Sequence, residues 1–149
     1  MNMLIDGTVL NDLLRIHKDR INGYERAIAE LKDAEDADLA ALFQKLTEGS
    51  SNFIEELTAR LEKMDQPVAT NSTAMGKIYT VWMDIKAYFT GNDRQTILNS
   101  CEAIEDAVKK AYESALSEPG LLPETFLLIR EQSNKLLFAH SQVKKLRDA

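Results

Sequence analysis

The spacing of apolar residues near the start of the chain constrains its fold most. Leu10, Leu14, His17, Ile21, Tyr24, Ile28 and Leu31 recur at intervals of 4-3-4-3-4-3. An α-helix brings such positions onto one face, and a seam that persists over about six turns needs a partner along its whole length. The spacing predicts a first helix from about Thr8 to Asp33. A short turn follows, so the next helix is expected to run back antiparallel beside it.

That second helix reads from about Asp36 to Met64, with Leu39, Phe43, Leu46, Ser50, Phe53, Leu57, Leu61 and Met64 inward. Its centre, Gly49-Ser50-Ser51, is small, and antiparallel pairing sets Ile21 and Tyr24 opposite it, large against small. The acidic run Asp33, Glu35, Asp36 and Asp38 suits the turn and the first turn of helix two, where the helix dipole favours carboxylates. Pro67 and a polar run then break the helix.

A shorter helix is expected over about Thr73 to Thr90, with Ile78, Val81, Trp82, Ile85 and Phe89 on one face. Asp93 is placed to cap a third long helix, about Asp93 to Ser117, which turns Ile97, Leu98, Cys101, Ile104, Glu105, Val108, Tyr112 and Ala115 toward the core. Glu118-Pro119-Gly120 breaks it, and Pro123 suits the first turn of a fourth long helix ending near Arg147. In that helix Phe126, Ile129, Ser133, Leu136, His140 and Val143 read as inward. No alternating strand pattern occurs. The expected architecture is a single all-α domain, residues 1–149: a ferritin-like four-helix bundle with a short crossover helix between helices two and three.

Composition narrows the function. Net charge is −6 from 24 acids and 18 bases, and no Lys/Arg stripe is present, which argues against nucleic acid as a partner. No run approaches the roughly 18 apolar residues of a membrane span. The N-terminus, Met1 to Asp6, lacks a basic leader, so the reading is cytoplasmic. One cysteine, Cys101, leaves no intrachain disulfide framework and no cysteine-based zinc site, and on a seam it reads as a small hydrophobe.

The two histidines matter most for chemistry. A di-iron carboxylate bundle uses Glu-x-x-His on two of its helices. Here the residues three before His17 and His140 are Leu14 and Leu137. Both histidines therefore read as hydrogen-bonded core residues. No glycine-rich phosphate loop and no Ser/His/Asp order suggests another reaction.

The segment Gly76 to Lys86, with Thr90-Gly91-Asn92-Asp93-Arg94 and Ile97 to Glu102, resembles a bacterial ferritin-like family classed as a domain of unknown function. Asn11-Asp12-Leu13, Asp19 to Tyr24, Ala139-His140 and Lys145 to Asp148 fit the same family. The resemblance implies a ferritin-like bundle and no established reaction. The wider superfamily implies metal ligands on all four helices. Glu25 and either Glu102 or Glu105 are available for its single positions, whereas Glu48-x-x-Ser51 and Glu131-x-x-Asn134 lack the imidazole of its paired motifs.

The expectation is thus a non-catalytic bundle without a cofactor, acting through protein contacts in a stress setting. A homodimer is expected, formed through a face of helix two where Leu42 and Ile54 lie off the seam. The alternative is a carboxylate-rich iron or manganese site built from Glu25, Glu105 and His140. Counting depth along the helices places Tyr24, Ser50, Glu105 and His140 in one polar layer, with Glu105 hydrogen-bonded to Tyr24 or His140.

Overall fold

A computed structural model describes residues 3–31, 34–70, 73–85 and 93–149. Among these residues the chain is helical and contains no strand. Helix α1 spans Met3–Glu30, and a 3-10 turn, Ala34–Asp36, leads into α2, Ala37–Lys63. Then come α3 (Lys77–Ile85), α4 (Arg94–Leu116) and α5 (Pro123–Asp148).

Helix α1 begins five residues earlier than its seam suggested, because its first turns are docked. Asp6 is buried and accepts a 2.6 Å hydrogen bond from the Thr125 hydroxyl at the start of α5. Gly7 lies so close to the Gln66 side chain that a Cβ there would sit 2.7 Å from its amide oxygen. The helix ends at Glu30, short of the expected Asp33, which lies outside the described residues.

Side-chain pairs fix the directions of the long helices. Along α1, His17 and Arg20 reach Ser50 of α2, while Tyr24 stacks on Phe43 with ring centroids 5.2 Å apart. The same stretch of α1 meets α4 in reverse order, His17 at Tyr112 and Tyr24 at Glu105. Helix α5 runs against α2, with Gln132 at Phe53 and Thr125 at Arg60. It also runs against α4, with Tyr112 at Gln132 and Gln95 at Arg147. So α1 and α5 are parallel, and α2 and α4 run opposite to both. The α2 and α5 pair meets only sparsely.

The expected inward residues of α2 and α4 are all buried. On α1, Ile21 is only half-buried, and Arg20 beside it is enclosed instead. The correction is larger in α5. The buried line there is Thr125, Ile129, Gln132, Leu136 and Val143, with Ala139 packed against it. Phe126, Ser133 and His140, expected inward, are each one residue off this line, or roughly 100° around the helix. The helix is turned this way because Thr125 and Gln132 both find buried partners, Asp6 for one and Tyr112 for the other.

Helix α3 lies against α1 and α4, with Ile78 and Trp82 buried. Val81, expected on the same face, is 54% exposed. The expected extension of this helix to Thr90, with Phe89, lies outside the described residues. No helix among the described residues is long and apolar enough to cross a membrane.

Candidate functional site

Two apolar clusters fill the interior. One surrounds Leu10, Leu57 and Trp82, and the other surrounds Tyr24, Phe43 and Cys101. Near their junction is a chain of polar side chains built around Arg20, buried except at its outer end, Glu56. Its guanidinium grips Glu105 of α4 with two parallel bonds, Nε to Oε2 and Nη2 to Oε1, each 2.8 Å. Both side chains are only 1% exposed. The Tyr24 hydroxyl adds a third donor to Glu105, at 2.7 Å from Oε2.

The other end of the guanidinium extends the chain. Nη1 of Arg20 donates to Ser50 Oγ at 2.8 Å. Arginine can only donate, so the serine proton is free to go to Nδ1 of His17, 2.9 Å away. A neutral histidine that accepts at Nδ1 carries its proton on Nε2, which then donates to Tyr112 Oη at 2.7 Å. The Tyr112 hydroxyl donates to Gln132 Oε1 at 2.6 Å, and the Gln132 amide donates to Glu56 Oε1 at 3.0 Å and to the Phe53 carbonyl at 3.3 Å. Every donor has one direction, so the chain is fully satisfied from Tyr24 to Glu56.

The electrostatics agree with that assignment. Burial, reinforced by the Arg20 charge, holds His17 well below its ordinary value of 6.5, so it stays neutral. Burial opposes the charge on Arg20, but the Glu105 carboxylate outweighs it and holds the guanidinium above its ordinary value. Burial raises the Tyr24 and Tyr112 hydroxyls, which remain protonated donors. Burial and the nearby Glu105 likewise push the Cys101 thiol up, away from the thiolate that reactivity requires.

A second polar set ties α1 to the crossover. Asn11 donates to the Pro67 carbonyl at 2.8 Å and accepts from Ala69 N at 2.7 Å. The Asp12 carboxylate accepts from Gly76 N at 2.9 Å and Tyr79 N at 3.1 Å, capping the start of α3. Gly76 must be glycine here, since a Cβ would collide with the Asp12 carboxylate and the Thr8 methyl. Asp19 Oδ2 takes the Tyr79 hydroxyl at 2.7 Å and the Trp82 indole N–H at 3.0 Å. The acidic run also has a partner: Arg94 bonds Asp36 at 3.0 Å and Asp38 at 2.8 Å.

Of the residues expected in one polar layer, Tyr24, Ser50 and Glu105 are joined by the chain, and His140 is not. The rotation of α5 carries His140 to a half-buried position 3.5 Å from Glu102 Oε1, where Nε2 makes no hydrogen bond among the described residues. Arg147 takes the other oxygen of Glu102 at 3.0 Å. Glu25 is exposed on α1. The three residues of the alternative metal site therefore do not converge. Among the described residues, no group of three or more His, Cys, Asp or Glu side chains is placed to hold a metal ion. The donor set does not fit the di-metal centre that a ferritin-like resemblance implies.

Arg20, Tyr112, Gln132 and Glu56 were not expected in the site. Arg20 left a signal: it lies three residues after His17 and four before Tyr24, on the same side of the helix.

The family described as Domain of unknown function (DUF2383) matches residues 7–118. The chain belongs to that family. The DUF2383 match covers α1 through α4 almost entirely and stops before α5. It includes both partners of the ion pair, the Asn11, Asp12 and Asp19 contacts and the whole of α3, while Gln132 lies beyond it. No curated protein matches the chain.

Proposed function

We propose that the chain is a non-catalytic, ferritin-like four-helix bundle, with α3 as its crossover helix, that acts through protein contacts in a bacterial stress setting. The pairing of Arg20 with Glu105 carries this reading. Metal-binding bundles of this shape turn carboxylates from facing helices toward ions in the core. Here a core carboxylate exists, but both its oxygens are taken by Arg20 and Tyr24. A fixed positive charge in direct contact opposes a divalent cation at the same carboxylate. The alternative, an iron or manganese centre on Glu25, Glu105 and His140, has no such observation in its favour.

The interior chain specifies structure. A buried ion pair contributes little net stability, because desolvation offsets its attraction, whereas its geometry fixes how helices register. The outer surface is left for contact. Leu42 and Ile54, expected to be spare, are partly buried against the core clusters. Exposed apolar side chains occur instead at Val81 and Met83 on α3 and Leu127 and Leu137 on α5.

The test is metal analysis of protein produced in iron- and manganese-supplemented medium and then dialysed. The proposal expects an intact helical fold with no stoichiometric metal, and retained stoichiometric metal would overturn it. Light scattering addresses self-association: a mass of 16.8 kDa at high concentration would exclude a second copy as the partner.

A further inference from the structure

The loose packing between α2 and α5 leaves a groove of about 220 Å³ above the ion pair. Its floor includes Arg20, a buried cation, and its rim carries Lys45 and Lys135. Phe53, Leu136 and Phe138 form apolar walls. Phe138 is 66% exposed, a large aromatic left facing water. The one acidic side chain in the lining is Glu56, which already accepts from Gln132. Glu105 neutralises Arg20 from the other side, so the two rim lysines against Glu56 leave the groove with an excess of one positive charge, which favours an anion.

Gly49 supplies the second observation. It lies in the middle of α2, where glycine costs roughly 0.5–1 kcal/mol relative to alanine. Gly7 and Gly76 are each forced by a close neighbour, but a Cβ on Gly49 would meet nothing within 4 Å. Packing does not require this glycine. What it provides is open space in the groove wall beside Arg20.

We propose that the groove between α2 and α5 is a binding site for a small organic carboxylate carrying a short apolar tail. The carboxylate lies between Lys45 and Lys135, and the tail covers Phe53, Leu136 and Phe138. The volume is below the roughly 300–1,000 Å³ of drug-sized pockets, which limits the ligand to a few carbons beyond its carboxylate.

Hexanoate is a suitable probe, titrated into the full 15N-labelled chain with amide shifts followed by NMR. The expected result is saturable movement of the Gly49 and Phe138 amides, with Kd on the order of millimolar. Hexylamine, which has the same tail and the opposite charge, is expected not to saturate. Lys135→Glu is expected to weaken hexanoate about tenfold or more, because a favourable charge contact is replaced by a repulsive one. Gly49→Leu fills the space and is expected to abolish binding. It should not unfold the protein, because leucine is a better helix former than glycine. Absence of saturation up to roughly 50 mM hexanoate, far above that Kd range, would overturn the proposal. So would equal binding of hexylamine, or unchanged binding to a folded Gly49→Leu variant.

Discussion

The Ser50 hydroxyl donates to Nδ1 of His17 across 2.9 Å while accepting from Arg20 at 2.8 Å. One small side chain thus transmits the orientation of a fixed cation to a neutral imidazole. His17 is held neutral by its burial, so folding is linked to pH. In the folded state its pKa is well below 6.5; in the unfolded chain it returns to about 6.5 and takes up a proton as pH falls. The stabilisation is present above pH 6.5 and is lost below it. Urea unfolding between pH 7.5 and 5.5 should show stability falling below 6.5 at up to about 1.4 kcal/mol per unit. His17→Gln should flatten that slope. An unchanged slope in the variant would show that His17 is not its source.

Removing one partner of the ion pair leaves the other charge buried. Glu105→Ala should therefore cost about 3–5 kcal/mol in denaturant unfolding. Replacing the pair together, Arg20→Met with Glu105→Leu, should cost less than the single change, because no uncompensated charge remains. A double variant as unstable as Glu105→Ala, or more so, would contradict that account.

Two glycines should respond in opposite directions. Gly76→Ala drives a methyl into Asp12 and Thr8 and should lose roughly 1–3 kcal/mol, with the amides of α3 losing protection from hydrogen exchange. Gly49→Ala meets nothing and should gain roughly 0.5–1 kcal/mol from helix propensity. Thermal melts of both proteins check the contrast.

Cys101 is fully buried, and its thiol is pushed up by that burial and by Glu105. A thiol reagent added to the native protein should react only as fast as the chain opens, and at once in denaturant. Rapid stoichiometric reaction of the native protein would show that the thiol is accessible.

The seams of α2 and α4 were legible because apolar residues fill them with one consistent period. On α5 only Ile129, Leu136 and Val143 were legible, and the residues that complete the stripe were not. Phe126, Ser133 and His140 continue a 4-3 spacing as well as Thr125, Gln132 and Ala139 do, and hydropathy prefers Phe126 to Thr125. What decides between them is a hydrogen bond from Thr125 to Asp6, 119 positions away, and another from Tyr112 to Gln132. The same blindness hid Arg20. A lone arginine beside an apolar seam reads as a solvated edge until its carboxylate, 85 positions on, is known. Tyr24, Ser50 and Glu105 were found because they lie on seams themselves. His140 was misplaced by the one-residue error in its helix.

The central claim is that the core cation beside Glu105 is the Arg20 guanidinium and not a metal ion. The most direct measurement is NMR of the arginine Nε–H signals during titration with Mn2+, whose paramagnetism broadens resonances near a bound ion. The account predicts an Arg20 Nε–H signal protected from solvent exchange that stays sharp at equimolar Mn2+, together with the backbone amide signals of Tyr24 and Ser50. An Arg20 signal that exchanges as fast as those of surface arginines, or broadening centred on Glu105 at equimolar Mn2+, would contradict it.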